Sequence, residues 1–170
     1  MNVMLKKVAI RERITLAVNM FFTFSLIVSM LSLTSCNKNN EDQSLEEITE
    51  TVDEFAEHYF NFDLNGTVKT CTPESKKWLS FLASNIRQED IDILKAQKEG
   101  SWHETGDIIF TSDSTVNVAC KVFNFLKIDT LGRAGSMTEH ATYKIPLVKR
   151  NGKWKVKMEA PLQSEKRSHD

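Results

Sequence analysis

Hydrophobic and polar positions change rhythm three times along the chain. From Ile14 to Ser35 there is no charged residue, and Phe21, Phe22, Phe24, Leu26, Ile27 and Val28 make the densest apolar stretch. A polar run, Asn37 to Gln43, follows. Then Leu45, Ile48, Val52, Phe55, Tyr59 and Phe62 recur at spacings of three and four, which lines them along one face of a helix. Ser44 with Glu47 reads as a capping box opening that helix, and Asn65-Gly66 as its stop. Thr72-Pro73-Glu74 opens another helix, with Thr72 as cap and Trp78, Leu79, Leu82 and Ile86 as its buried side. Gln88-Glu89-Asp90 leads into a shorter helix that ends near Gly100.

After Gly100 the period drops to two. Ile108-Ile109-Phe110 predicts a short strand, Ser112-Asp113-Ser114 a turn, and Thr115 to Lys127 a long strand. In that strand Val116, Val118, Cys120 and Val122 share one face, while Asn117, Ala119 and Lys121 share the other. Asp129 to Ser136 reads as a loop. Ala141, Tyr143, Ile145 and Leu147 then alternate with His140, Thr142, Lys144 and Pro146, and Pro146 marks an edge or a bulge because it lacks a ladder donor. Asn151-Gly152 predicts a tight hairpin into a strand whose faces divide between Trp154, Val156, Met158 and Lys153, Lys155, Lys157. Helices first and antiparallel strands after them give an α+β fold, with N-terminal helices packed on a curved, mostly antiparallel sheet.

The N-terminal 35 residues differ in chemistry from everything after them. Lys6, Lys7, Arg11 and Arg13 precede the uncharged run, and a basic start before an apolar segment is the pattern of a secretory signal. The run ends in Leu33-Thr34-Ser35-Cys36, which resembles the lipobox of bacterial lipoproteins. That resemblance implies cleavage between Ser35 and Cys36 and acylation of Cys36, and two or three acyl chains hold a protein on a bilayer where one does not. Three other readings compete: an uncleaved membrane helix, ordinary cleavage after Thr34, and chance placement of the cysteine. The division expected is 1–35 signal peptide, 36–43 lipidated cysteine and polar tether, 44–160 α+β domain and 161–170 polar tail. A lipid-anchored place in the cell envelope is expected in turn, with the outer membrane preferred. The Glu41-Asp42 pair faintly resembles the acidic export tags of Bacteroidetes surface lipoproteins.

Charge excludes one class of partner. Of 22 basic and 23 acidic residues, the first 35 positions hold four and one, so the mature chain carries 18 and 22. A mildly acidic domain lacks the dense positive footprint that nucleic acid requires. Nine acids fall between Glu41 and Asp63 with no Lys or Arg among them, which is the solvated face of a helix or a cation- or partner-binding face. The lysines at 153, 155 and 157 either guard a sheet edge or lean on anionic lipid.

The domain as a whole resembles the nuclear transport factor 2-like superfamily, a cystatin-like roll. The resemblance rests on Val52-Asp53-Glu54-Phe55, then Phe62-Asp63-Leu64-Asn65 with Val68, then Cys71-Thr72-Pro73-Glu74-Ser75 with Trp78-Leu79, and on the closing hairpin Val148 to Val156. It covers about residues 44–160 and is similar to envelope lipoproteins of unknown function, particularly those of Bacteroidetes. Some relatives of this fold are isomerases or dehydratases that set a pocket acid or histidine against aromatic side chains. By that resemblance Tyr59, Trp102, Glu139 and Tyr143 are the pocket candidates, with solvent exposure of Glu139 as the plain alternative. Export would let Cys71 and Cys120 form a helix-to-sheet disulfide, and two buried free thiols are the equal alternative. His58, His103, His140 and His169 have no metal-motif spacing, and there is no Gly-x-Ser-x-Gly, so neither metal, cofactor nor catalytic residue is expected.

The function expected is therefore a membrane-anchored, non-catalytic binding or protein-interaction module of unknown ligand. The alternative is a small-molecule-binding protein, or an isomerase- or dehydratase-like enzyme, using a cavity between helices and sheet. A third reading is an envelope assembly factor that dimerises through its sheet.

Overall fold

A computed structural model describes residues 36–128 and 133–165, with side chains from residue 41. The chain divides into two units, 1–44 and 45–170, and the sheet and the buried core both belong to the second. The signal peptide with its cleavage site at Ser35 lies outside the described residues, and so does the side chain of Cys36. Among the described residues no helix is long and apolar enough to cross a membrane.

Helix α1 spans Cys36–Phe60, so it starts well before Ser44. The expected tether contains no Gly or Pro that would end a helix, and its Glu, Lys and Gln tolerate helical backbone. The capping box is accordingly not used, and the carboxylate of Glu47 instead accepts a bond from the backbone N–H of Trp154 at 3.3 Å. Ile48, Val52, Phe55 and Tyr59 are buried as their spacing requires, joined by Ala56 and Phe60, while Leu45 stays exposed. The helix ends at Phe60, before Asn65-Gly66. Phe62 turns the chain with φ 61°, and Asp63 caps helix α2, Leu64–Thr70, by accepting from the Gly66 N–H at 3.0 Å. Gly66 is required there because a Cβ would run into the His58 ring and the Asp63 carboxylate.

A 3-10 turn at Pro73–Ser75 leads into α3, Lys76–Asn85, and then α4, Gln88–Ala96. Four antiparallel strands follow in sequence order: β1 Trp102–Ser112, β2 Thr115–Lys127, β3 Ser136–Arg150 and β4 Lys153–Val156. Val116, Val118, Cys120 and Val122 are buried as the alternation predicts, against Tyr143, Ile145 and Leu147 from β3 and Trp154 and Val156 from β4. The Asn151-Gly152 turn has positive φ at both residues, the geometry a two-residue hairpin needs. Pro146 marks neither an edge nor a bulge, because β3 lies between β2 and β4 and Pro146 pairs with Asn117 in unbroken register. Its carbonyl accepts from Lys157 N at 2.9 Å just past the end of β4, while its missing N–H cannot return a bond on that side.

Three expectations require correction. First, β1 is eleven residues rather than the short strand expected at Ile108-Ile109-Phe110, and Ile109 and Phe110 are exposed on this edge strand. Second, of the two readings left open for Cys71 and Cys120, the disulfide is the one set aside: they are separate, buried, free thiols. Cys71 follows α2 and bridges Val156 beside β4, whereas Cys120 sits mid-sheet between Thr105 and Tyr143. Third, residues 161–165 are not a loose polar tail. Leu162 packs on the core, Ser164 bridges Tyr143, and Glu165 N–H donates to the Thr142 carbonyl at 2.8 Å. The half of β3 that β4 does not reach is thus partly covered by the chain's own end.

Candidate functional site

A cavity of about 470 Å³ opens at the C-terminal end of α1. Tyr59, Phe60 and Phe62 come from the end of α1, Phe81, Leu82 and Asn85 from α3, and Phe125 to Ile128 from the end of β2. Tyr143 of β3 forms the floor, and Pro161 to Ser164 close the remaining side. Its back wall is a rigid aromatic cluster. Phe60 sits 4.8 Å from Tyr143 and 5.6 Å from Phe125 between ring centroids, and Tyr59 stacks on Phe55 at 5.1 Å. Such a wall holds its shape without a ligand, because each ring is fixed by its neighbours.

One residue lets the sheet supply this wall. Up to Val122 the buried positions of β2 are even-numbered, yet Phe125 is also buried. Asn124 between them has φ 50°, and the β2–β3 register pairs Phe123 with His140 and Phe125 with Thr138 while leaving Asn124 out. The kink is pinned by Gln97, which donates to the Asn124 carbonyl at 3.0 Å, and by Asn124, which donates to the Glu99 carbonyl at 3.2 Å. It swings Phe125 inward.

The four pocket candidates are not brought together. Tyr59 and Tyr143 line the cavity and are buried. Trp102 is half exposed on β1, stacked on Phe123 at 3.8 Å. Glu139 shares odd numbering with Tyr143 but is exposed, because it lies beside the Asn124 kink where the inward face changes. No carboxylate or imidazole occurs among the described residues that line the cavity. Its polar groups are the two phenols, Asn85, Lys127, Gln163 and Ser164. Burial pushes the Tyr59 hydroxyl up to about 12, opposed by a backbone hydrogen bond from Leu162. That phenol is therefore a neutral hydrogen-bonding group across the ordinary pH range.

Two histidine–carboxylate pairs are not evident from the sequence. His58 Nδ1 stands 2.8 Å from Asp63, over Gly66, and fixes the turn after α1. His103 Nε2 stands 3.2 Å from Asp53, which also accepts from the Thr105 hydroxyl at 2.6 Å, and the three fasten α1 to β1. Odd-numbered His103 and Thr105, with Asp53 on α1 between Val52 and Phe55, were the available signal. Cys120 lies beside this second pair, opposite Thr105 in register, but burial first and the Asp53 charge second push its thiol up to about 12. A fully buried thiol held protonated is no nucleophile. Among the described residues no group of three or more His, Cys, Asp or Glu could hold a metal ion.

No protein-family model matches the chain, and no curated protein matches it. Solved structures do. A nuclear transport factor 2-like protein of unknown function from Shewanella oneidensis is 12% identical over 72% of this chain and 99% of its own, with a TM-score of 0.48. A scytalone dehydratase candidate from Novosphingobium aromaticivorans is 14% identical over 76% and 89%, at 0.49. A protein of unknown function with a cystatin-like fold from Nostoc punctiforme is 15% identical over 72% and 90%, at 0.42. These likenesses concern the arrangement of helices on a curved sheet, not a ligand or a chemistry.

Proposed function

We propose that this chain is an envelope lipoprotein whose domain is a non-catalytic binding module for a small apolar ligand carrying one or two hydrogen-bonding groups. The observation that carries the reading is the lining of the cavity. Its volume falls in the range of small-molecule sites, and its walls are aromatic and aliphatic with a few convergent polar groups. Burying an apolar ligand of that size supplies affinity, while the two tyrosine hydroxyls and Asn85 orient it. The isomerase or dehydratase alternative needs a group to move a proton at the substrate. Glu139, its candidate, is exposed, and the Tyr59 phenol is held too high to exchange a proton near neutrality. The anchoring half of the proposal rests on Leu33-Thr34-Ser35-Cys36.

Binding is tested on the full chain with an environment-sensitive apolar fluorophore and a series of medium-length fatty acids as competitors. Saturable one-to-one binding is expected, lost at least tenfold in Leu82→Trp, which fills the cavity, and kept in Trp102→Ala. Binding that ignores Leu82→Trp would place the ligand elsewhere. Anchoring is tested by intact mass of the membrane fraction, where acylation must disappear in Cys36→Ala.

A further inference from the structure

The end of the domain opposite the cavity combines basic and exposed apolar side chains that neither the core nor the cavity uses. The β3–β4 turn carries Lys149, Arg150 and Lys153, all exposed, with Lys155 just behind. Lys149 N–H donates to the Ser114 carbonyl at 2.8 Å, which ties this turn to the β1–β2 turn. On β1 leading into that turn, Ile109 and Phe110, on opposite faces of the edge strand, are 62% and 48% exposed, and the Phe110 ring lies 6.2 Å from that of Trp154. Through the Glu47–Trp154 bond the same end meets the first turn after Leu45, itself an exposed apolar residue. Some of the charge is already engaged. Arg150 pairs with Glu74 at 3.3 Å, Lys155 donates to the Lys69 carbonyl at 2.7 Å, and the acids Asp113 and Glu47 sit nearby. Lys149 Nζ lies over the Trp154 ring, 5.6 Å from its centroid, and Lys153 is exposed beside it.

Leu45 is nine residues from Cys36, so a lipid on that cysteine cannot lie farther than about 30 Å from this end, whatever path the chain takes. The cavity is at the other end of α1, and Leu45 to Phe60 is fifteen residues of helix, or about 22 Å. We infer that the paired β-turns seat on an anionic bilayer surface, with Lys149 and Lys153 among the headgroups and Ile109 and Phe110 entering the interface. This inference rests on the lipid anchor proposed above. Lysines near an anionic surface attract it, and apolar side chains beside them bury themselves in the headgroup boundary. The domain then stands with its cavity turned away from the membrane. The ligand would reach it from the aqueous compartment rather than by sliding out of the bilayer.

The test uses the full chain in vesicles of phosphatidylcholine, alone or with 30% phosphatidylglycerol, doped with a headgroup-nitroxide lipid. A fluorophore is attached at Ser114→Cys, beside the turns, or at Gln88→Cys on exposed α4. Cys71 and Cys120 are buried and stay unlabelled in the native protein. Quenching at 114 is expected to exceed that at 88 at least threefold on anionic vesicles. The excess should vanish on neutral vesicles and in Lys149→Glu/Lys153→Glu, since each lysine is worth about fivefold in surface partition. Equal quenching at 114 and 88 on anionic vesicles overturns the docking surface. Shielding of 114 from aqueous iodide without vesicles also overturns it, in favour of a second copy of the chain. Intact mass separates the two readings. Acylated protein with equal quenching refutes the docking alone, and unacylated protein with preferential quenching at 114 refutes the anchor alone.

Discussion

Asp90 offers the sharpest test of how the cavity end is held. It is the third residue of α4, fully buried, and one carboxylate oxygen accepts from the Arg87 N–H at 2.8 Å, where the helix begins. The other accepts from the Gly135 N–H at 2.7 Å, just before β3. A single carboxylate thus caps α4 and fastens the segment entering β3, beside the Leu126 to Ile128 wall. Asp90→Ala would leave two N–H groups without their acceptor. Charge-assisted bonds contribute about 1.5–3 kcal/mol each, so the expected loss is about 3–5 kcal/mol, less whatever water recovers. For roughly 120 folded residues, about 4 °C of melting temperature accompanies each kcal/mol, which places the drop near 12 °C or beyond. Asp90→Asn keeps the volume and one acceptor oxygen but turns an amide toward the second donor, and should lose about half as much. Urea unfolding gives the free energies, and hydrogen exchange at the Gly135 amide reads the second bond directly. A loss below about 1 kcal/mol in Asp90→Ala, with unchanged exchange at Gly135, would refute the clamp.

Alkaline pH provides a second prediction. Burial is the first cause that raises Tyr59 from 10.0, and Cys71 and Cys120 from 9.0, to about 12. Folded values above unfolded ones mean that the stabilisation is whole below about pH 9 and is lost as pH rises toward 12. Each group ionised only in the unfolded chain costs roughly 1.4 kcal/mol per pH unit. Urea midpoints that stay flat from pH 8 to 11 would contradict this. Phe55→Ala, at a fully buried ring stacked on Tyr59, should cost about 3–5 kcal/mol, and a loss under about 1 kcal/mol in chemical denaturation would mean the ring does not anchor α1.

The fold was legible wherever one residue's burial follows from its spacing. The stripe Ile48, Val52, Phe55, Tyr59 and the alternation Val116 to Val122 both predicted the right element and the right face. Asn151-Gly152 did so by turn chemistry, since positive φ at two successive positions admits few other pairs. Boundaries were less legible because they depend on partners distant in sequence. Ser44 and Glu47 fit a capping box locally, yet Glu47 is engaged 107 residues away by Trp154. The chain's end looked polar because Gln163, Ser164 and Glu165 bind through backbone or line a cavity mouth, roles that side-chain polarity conceals.

The cavity was half legible for the same reason, and the missing half decides what it does. The resemblance named Tyr59, Trp102, Glu139 and Tyr143 together; periodicity supported the burial of the two tyrosines, and Glu139 was joined to Tyr143 by strand parity. β3 is unbroken from Ser136 to Arg150, but the buried face of β2 changes at the left-handed Asn124, between the Phe123–His140 and Phe125–Thr138 pairs, and a lone Asn in an alternating segment gives no warning of it. The kink brings Phe125 into the wall, while Glu139 stays exposed. Asn124 is therefore the residue at which the buried face of β2 changes. Restoring ordinary strand geometry there would be expected to damage the cavity before it created a proton-transfer site, because Phe125 is packed against both Phe60 and Tyr143.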